Sequence, residues 1–383
     1  MKQKIIIIGG GASGIACALE IKAKNPNLQV LILEQNSRIG KKILKTGNGR
    51  CNISNLNMGP EHYNNSEFLE ECFSQFSVED LIDFFKKLGL ILRTDSSNRL
   101  YPYSEFANTV LEVFLFALDK FGVVVKCNQE VLEISYSSSF RVKTASEVYQ
   151  ADYVVVATGS MAQERTNGYD LLHTLKHSST ALEPGLVPIK TKENLKSLRG
   201  IRIKCLASVF LKGKMLHQEE GEILFKEQGL SGVLTLNLSR YTQIGSIICL
   251  DLLPDMEILP YLKNMLKFKD LESALLGILP KMLVYEVLKR SKNNNLEKIC
   301  ETMHNLTFEV NGNYGLSLAQ ITLGGIRMDE VNSDFSSKII NNLFIIGEVL
   351  DIDGECGGYN LHFAWMSGIL AANAILKRFE KNL

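Results

Sequence analysis

Three glycines and one carboxylate near the start of the chain are spaced for holding a phosphorylated ligand. Gly9, Gly11 and Gly14 occupy the fixed places of G-x-G-x-x-G, and Glu34 follows Gly14 by twenty residues. Gly9 allows a tight turn, Gly11 lets a pyrophosphate approach the backbone, and Gly14 lets a helix pack closely on a strand. At its distance Glu34 can accept both hydroxyls of an adenosine ribose, which favours NAD or FAD over NADP. The spacing does not choose between those two.

These residues act only if particular elements hold them. Residues 4–8 are a short apolar, β-branched run that reads as a buried parallel strand. Residues 15–21 read as a helix, closed by Lys22, Lys24 and the breaker Pro26, and an apolar strand at 28–33 ends on Glu34. The free N–H groups and positive end of that helix then face the phosphates. The loop at 35–55 carries five basic side chains among glycines and asparagines, too polar for a core. Standing just after the second strand, it reads as a segment wrapping the dinucleotide, with Gly47 and Gly49 bringing backbone N–H groups close.

The 42 basic residues balance the 42 acidic ones, so no global field draws nucleic acid or an anionic membrane, and a small-molecule substrate is expected. None of the eight cysteines forms C-x-x-C, which signals neither a zinc knuckle nor a thioredoxin-type pair. Scattered cysteines, with an N-terminal apolar run too short for a signal segment, suggest a cytoplasmic protein. The apolar stretch at 363–376 falls short of a membrane span. No feature specifies an oligomeric state.

Further along, residues 66–90 read as a helix ended by Gly89, 93–103 as a loop or short hairpin, and 105–121 as an amphipathic helix ended by Gly122. Residues 123–125 give a third parallel strand, 130–150 an antiparallel meander, and 151–157 a buried strand running into Ala157-Thr158-Gly159. Short alternating runs from 187 to 250 read as an antiparallel β-domain, and 255–306 as lysine-rich helices broken at Pro280. β structure returns at 320–326, a last strand spans 342–348, and a closing helix starts near Tyr359. The expected organisation is a nucleotide-binding domain at 1–186 and 327–383. Within it sit a β-domain at 187–254, a helical subdomain at 255–306 and return strands of the β-domain at 307–326.

Three separated stretches form one pattern: the glycine turn through Glu34, residues 154–159, and residues 343–348 with the helix after them. This set resembles the two-dinucleotide-type FAD-binding proteins, which share the glycine start, a strand ending in Ala-Thr-Gly and a late strand ending in Gly-Asp, here Gly347-Glu348. Gly49-Arg50-Cys51-Asn52-Ile53-Ser54-Asn55, Thr322-Leu323-Gly324-Gly325-Ile326 and Gly357-Gly358-Tyr359-Asn360-Leu361 look like signatures of one bacterial flavoprotein family. These are the aminoacetone-oxidase-like NAD(P)/FAD-dependent oxidoreductases, which include a bile-acid-pathway reductase. The resemblance spans nearly the whole chain.

The resemblance implies an α/β fold: a Rossmann-like FAD domain with an inserted β-barrel-like domain and a small helical domain. It also implies FAD held by Gly9, Gly11, Ala12, Ser13, Gly14, Glu34, Gln35, Lys42, Asn48, Gly49, Arg50, Cys51, Asn52, Val131, Ala157, Thr158, Gly159, Gly347, Glu348, Gly358, Asn360 and Leu361. The chain departs from the family pattern at His362, where glutamine is usual, and in the loop 160–168, which lacks the usual Gly and Pro. Gly357 and Gly358 let the backbone pass close to a flat ring. The N–H groups and dipole of the helix from Tyr359, directed at flavin N1 and O2, would stabilise the anionic reduced flavin.

The expected activity is that of an FAD-dependent oxidoreductase passing a hydride through flavin N5. No second G-x-G-x-x-G occurs, so NADH or NADPH is expected to dock transiently as reductant. A flavin-dependent RNA-modifying enzyme and a non-catalytic flavin-bound redox sensor are the alternatives. His173 and His177, four apart on an expected helix, would share a face as metal ligands do; no third ligand is evident, and no metal is expected. Cys51 and Cys356 each stand in a candidate flavin loop, where they are either a redox pair or small apolar residues. His362 is either a proton donor at the flavin or structural, and no catalytic residue is assigned. Residues 292–295 read as a solvated turn.

Overall fold

The computed structural model describes residues 3–163, 165–292 and 295–381. Glu164 of the loop after Gly159, and Asn293 and Asn294 of the expected solvated turn, lie outside the described residues. The chain divides into two compact units, residues 1–183 with 321–383, and residues 184–320.

The first unit is built on a five-stranded parallel sheet. Its order is Leu343–Ile345, Tyr153–Val156, β1 (Lys4–Ile8), β2 (Gln29–Leu33) and Val124–Lys126. Ile5 to Ile8 of β1 are buried whichever face they point to, so the sheet is covered on both sides. From β1 the chain moves outward through β2 to one edge, then returns to add Tyr153–Val156 on the other flank of β1. That reversal is the switch point at which doubly wound sheets open a crevice beyond their strand ends. Helix α1 (Ala12–Lys24) follows β1, and Lys22 caps its end by donating to the carbonyls of Pro26 at 2.6 Å and Leu28 at 3.2 Å. The closing helix, Tyr359–Lys381, crosses α1 so closely that a Cβ on Gly368 would stand 2.3 Å from the Ser13 carbonyl oxygen.

Two expectations are corrected here. Residues 66–90 form two helices, Ser66–Gln75 and Val78–Lys87. The break is a capping box in which Ser77 Oγ accepts from the Asp80 N–H and Asp80 Oδ2 accepts from the Ser77 N–H. The last strand is only Leu343–Ile345, because Gly347, at φ +74°, turns the chain into a short 3-10 turn.

The second unit holds a closed six-stranded antiparallel barrel in the order Ile189–Thr191, Gly229–Ser231, Lys214–Lys226, Arg202–Leu211, Ile247–Asp251 and Leu306–Asn313. A helix not foreseen in the sequence, Val233–Leu238, interrupts the run of strands. The helices between 258 and 304 bury Ile258, Leu262, Leu283 and Ile299 in the same cluster as Ile223, Phe225 and Phe308 of the strands. They therefore share one core with the barrel. No helix among the described residues is long and apolar enough to cross a membrane.

Candidate functional site

The glycine turn is tied to the other candidate segments of the first unit by contacts that leave no room for side chains. Gly9 has φ +109°, and a Cβ there would stand 2.3 Å from the Ala157 carbonyl oxygen, so the Ala157-Thr158-Gly159 segment lies directly against the turn. A Cβ on Gly14 would stand 2.1 Å from the Gly9 oxygen, and one on Gly347 would stand 2.5 Å from Ser13 Oγ. Gly11 differs. Its φ is an ordinary −84°, and a Cβ there would meet nothing within 4 Å. The protein itself does not demand glycine at 11; a ligand pressed against the backbone would. The first turn of α1 has neither a capping side chain nor an acidic residue, which leaves its N–H groups, among them those of Ala12 and Ser13, for an anion.

Glu34 is buried at the end of β2. Its Oε2 accepts from the Gly10 N–H at 2.8 Å, while Oε1 accepts from the N–H and the side-chain amide of Asn36, each at 2.8 Å. A carboxylate oxygen offers about two acceptor sites. Oε1 is therefore filled and Oε2 keeps one, which narrows the expectation that the carboxylate takes both ribose hydroxyls. Gln35 donates to the Arg165 carbonyl at 3.0 Å. Val131 is buried, its carbonyl accepts from Asn167 at 2.7 Å, and it stands two residues past Gln129, whose N–H donates to the Glu34 carbonyl.

The wrapping loop closes over the turn. Lys42 Nζ pairs with Glu348 Oε2 at 2.5 Å across 306 positions of sequence, and Glu348 Oε1 accepts from the Thr322 N–H at 3.3 Å. Gly47, Asn48, Gly49 and Cys51 all have positive φ, a tight coil that brings Arg50 over the Tyr101 ring at 4.8 Å. Asn52 stands beside Gly358, where a Cβ would lie 3.0 Å from Asn52 Oδ1 and 2.5 Å from the Ser54 carbonyl oxygen. The Asn360 side chain is used locally, bonding Gly354 and Glu355 to hold the loop before the closing helix, and Leu361 packs against the core.

Of the groups weighed for chemistry, several fall into structural roles. Cys51 is fully buried, and burial pushes its thiol up to about 12 against a smaller opposing hydrogen bond from Thr46, so it is not a ready thiolate. None of the eight cysteines, all among the described residues, is in a disulfide. His362 is fully buried, with Nδ1 2.9 Å from Ser54 Oγ and its ring stacked on Phe73, and burial pulls it down to about 3. It is neutral at ordinary pH and holds Ser54 in place, while its Nε2 is buried with no hydrogen-bond partner among the described residues. His173 and His177 do not share a helix face, because the helix Gly168–Thr174 ends between them. Each instead faces a serine, Ser179 at 3.1 Å and Ser337 at 2.8 Å.

The residues fit FAD by a second test. Thr158 Oγ1, Asn52 Oδ1, Thr322 Oγ1 and Tyr169 Oη are buried and have no hydrogen-bond partner among the described residues. An orphaned buried polar group costs about 1–3 kcal/mol, so several on and beside one cradle are expected where a polar ligand answers them. Tyr169 was not foreseen. Burial, reinforced by the charges of Glu348 and Asp351, raises its phenol, which locates it near them, but no local spacing could announce that.

A parallel-sheet dinucleotide fold with an uncapped helix end, a buried carboxylate after β2 and a glycine-opened closing helix defines a Rossmann-type flavoprotein. The family model described as "HI0933-like protein Rossmann domain" matches residues 3–374, and the chain belongs to this family of FAD-dependent oxidoreductases. A 3-dehydro-bile acid delta(4,6)-reductase of Clostridium scindens is 31% identical, over 98% of this chain and all of that one. A ribosomal RNA dihydrouridine synthase of Haemophilus influenzae is 27% identical, over 97% of this chain and 98% of its own. Among solved structures, a quinol–fumarate reductase with menaquinol aligns over 99% of this chain and 72% of its own, with a TM-score of 0.50 at 15% identity, a likeness of fold.

Proposed function

We propose that this protein is an FAD-dependent reductase of an activated carbon–carbon double bond in a small molecule, with NADH or NADPH docking transiently as the electron source. Bound FAD supplies hydride exchange at its N5. The chain supplies binding, orientation and electrostatics. In this reading Gly9, Gly11, Ala12, Ser13 and Gly14 receive the pyrophosphate, and Glu34, Gln35 and Val131 flank the adenosine. Ala157, Thr158, Gly159, Lys42, Gly347 and Glu348 line the middle of the cofactor. Residues Asn48 to Asn52 with Gly358, Asn360 and Leu361 form the end that meets the ring.

The observation that carries the cofactor reading is Gly11, where a Cβ would meet nothing within 4 Å among the described residues. The double-bond reading is supported by the names of the two relatives, one a delta(4,6)-reductase and one a maker of dihydrouridine, since both describe hydrogen added across a carbon–carbon double bond. The balance of 42 basic against 42 acidic residues supports a small substrate. RNA is the second reading. The guanidinium of Arg93 lies over Tyr103 as that of Arg50 lies over Tyr101, and Tyr103 and Phe106 are exposed, the pairing with which proteins stack single-stranded bases.

The experiment is anaerobic reduction of the purified yellow protein with NADH and with NADPH, followed by reoxidation with cyclohex-2-enone, a 4-ene-3-oxo steroid or a uridine-containing RNA fragment. Bleaching by one nicotinamide and recovery of colour with an enone are expected. Recovery with the RNA alone would favour the second reading. Protein that takes up no FAD, or reduced protein indifferent to every unsaturated acceptor, would overturn the proposal.

A further inference from the structure

Asn52 carries a buried acceptor that nothing in the chain answers. Its Oδ1 is shielded from solvent and receives no hydrogen bond from any described residue. The residue is threaded between two glycines with positive φ. A Cβ on Gly47 (φ +56°) would stand 2.7 Å from the Asn52 backbone nitrogen and 3.4 Å from its Cβ, and one on Gly358 (φ +104°) would stand 3.0 Å from Oδ1 itself. Side chains at either position would displace Asn52, so both glycines keep it where it is.

The backbone that presents Asn52 is pinned from behind. The next residue, Ile53, donates its N–H to the Leu100 carbonyl at 2.8 Å, and its own carbonyl accepts from Trp365 Nε1 at 3.2 Å. Ser54 is held through its hydroxyl by His362, which is itself wedged beside Phe73 and Phe76. Trp365, His362 and Gly358 all belong to the start of the closing helix or the turn before it. The segment 52–54 and that helix start therefore hold their relative position, and the Asn52 amide is a preorganised group.

A buried amide oxygen calls for an N–H or O–H donor. The oxidised isoalloxazine ring has a single N–H, at N3, set between two ring carbonyls. A primary amide, with acceptor and donor side by side, matches that edge. Resting on the reading of this cradle as the FAD site, we propose that Asn52 recognises the pyrimidine edge of the flavin, with Oδ1 accepting from N3–H and Nδ2 donating to an adjacent ring carbonyl. Asn52 is here a binding residue, and no proton or electron passes through it.

The test compares FAD with 3-methyl-FAD, which lacks that N–H, by fluorescence titration of the full-length protein freed of its flavin. The wild type is expected to bind 3-methyl-FAD roughly ten- to a hundredfold more weakly than FAD, the scale of leaving one buried acceptor unanswered. Asn52→Ala should bind FAD more weakly and treat the two flavins alike; Asn52→Ser serves the same purpose if the alanine variant folds poorly. Equal affinity of the wild type for both flavins would overturn the proposal, as would discrimination that survives in the variants. Protein that binds neither flavin would instead overturn the cofactor reading on which this one rests.

Discussion

Gly9, Gly11 and Gly14 are alike in chemistry and unlike in what constrains them. Gly9 and Gly14 face backbone oxygens at 2.3 and 2.1 Å from where a Cβ would lie, so G9A and G14A force main chain apart and should cost about 1–3 kcal/mol of folding stability. Gly11 faces open space at an ordinary φ, so G11A should fold within about 1 kcal/mol of the wild type, a lost helix cap offset by a less flexible unfolded chain. Its flavin affinity should nonetheless fall about tenfold or more. Urea unfolding beside a flavin titration separates the two classes. Parity of all three variants in both measurements would refute the assignment.

His362 makes a prediction of the same grain about acid. Its folded value, about 3, lies below the ordinary histidine value, so between the two the unfolded chain binds more protons than the folded one. Its contribution is complete above about pH 6.5 and is lost as pH falls toward 3. In H362Q the stability-against-pH curve should be flatter across that window. A slope unchanged from the wild type would mean that the ring is reached by solvent.

At the scale of elements, the closing helix is the back wall of the site. Ser367 Oγ accepts from the Gly347 N–H at 3.0 Å, and the next residue, Gly368, is the one that lets this helix touch the first turn of α1. G368A should therefore lower stability by about 1–3 kcal/mol and flavin affinity with it, read by unfolding and titration on one sample. Loss of stability with unaltered affinity would separate the helix crossing from the site. The capping box between the two helices after residue 65 is simpler: S77A should cost about 1 kcal/mol, measured by urea unfolding.

The same elements show what a linear reading can reach. Strand, glycine turn, helix and second strand announce themselves because each is local, and the alternating runs of the barrel do so for the same reason. The Ser77-x-x-Asp80 signal was also local, but the apolar periodicity running through it hid the break. Glu34 was legible as a carboxylate at the right distance, whereas the donors that fill Oε1 depend on how Asn36 turns back. The pins from His362 to Ser54 and from Trp365 to Ile53 join positions more than 300 residues apart, and no spacing rule records them. The same is true of Tyr169.

For the molecule as a whole, the two units have separate hydrophobic clusters, and every candidate cofactor residue lies in the first. Unfolding in urea should then show two transitions rather than one. Added FAD should stabilise only the first unit, by about 2.7 kcal/mol at a hundredfold excess over its dissociation constant, and leave the midpoint of residues 184–320 in place. Tryptophan fluorescence reports the first unit alone, since Trp365 is the single tryptophan, and far-ultraviolet circular dichroism reports both. A single transition that FAD moves as a whole would show the units to be one cooperative body.

The strand Leu343–Ile345 pairs with Tyr153–Val156, although the barrel unit separates them in the chain. On the ribosome, the wholly buried valines 154 to 156 must wait for the entire barrel to be made before their outer neighbour emerges. Until then a sticky apolar edge stands open, and Gly347 and the closing helix do not yet exist. Nascent chains stalled anywhere before residue 343 should therefore be colourless and in need of a chaperone, and uptake of the cofactor waits until that strand and the helix after it have been made.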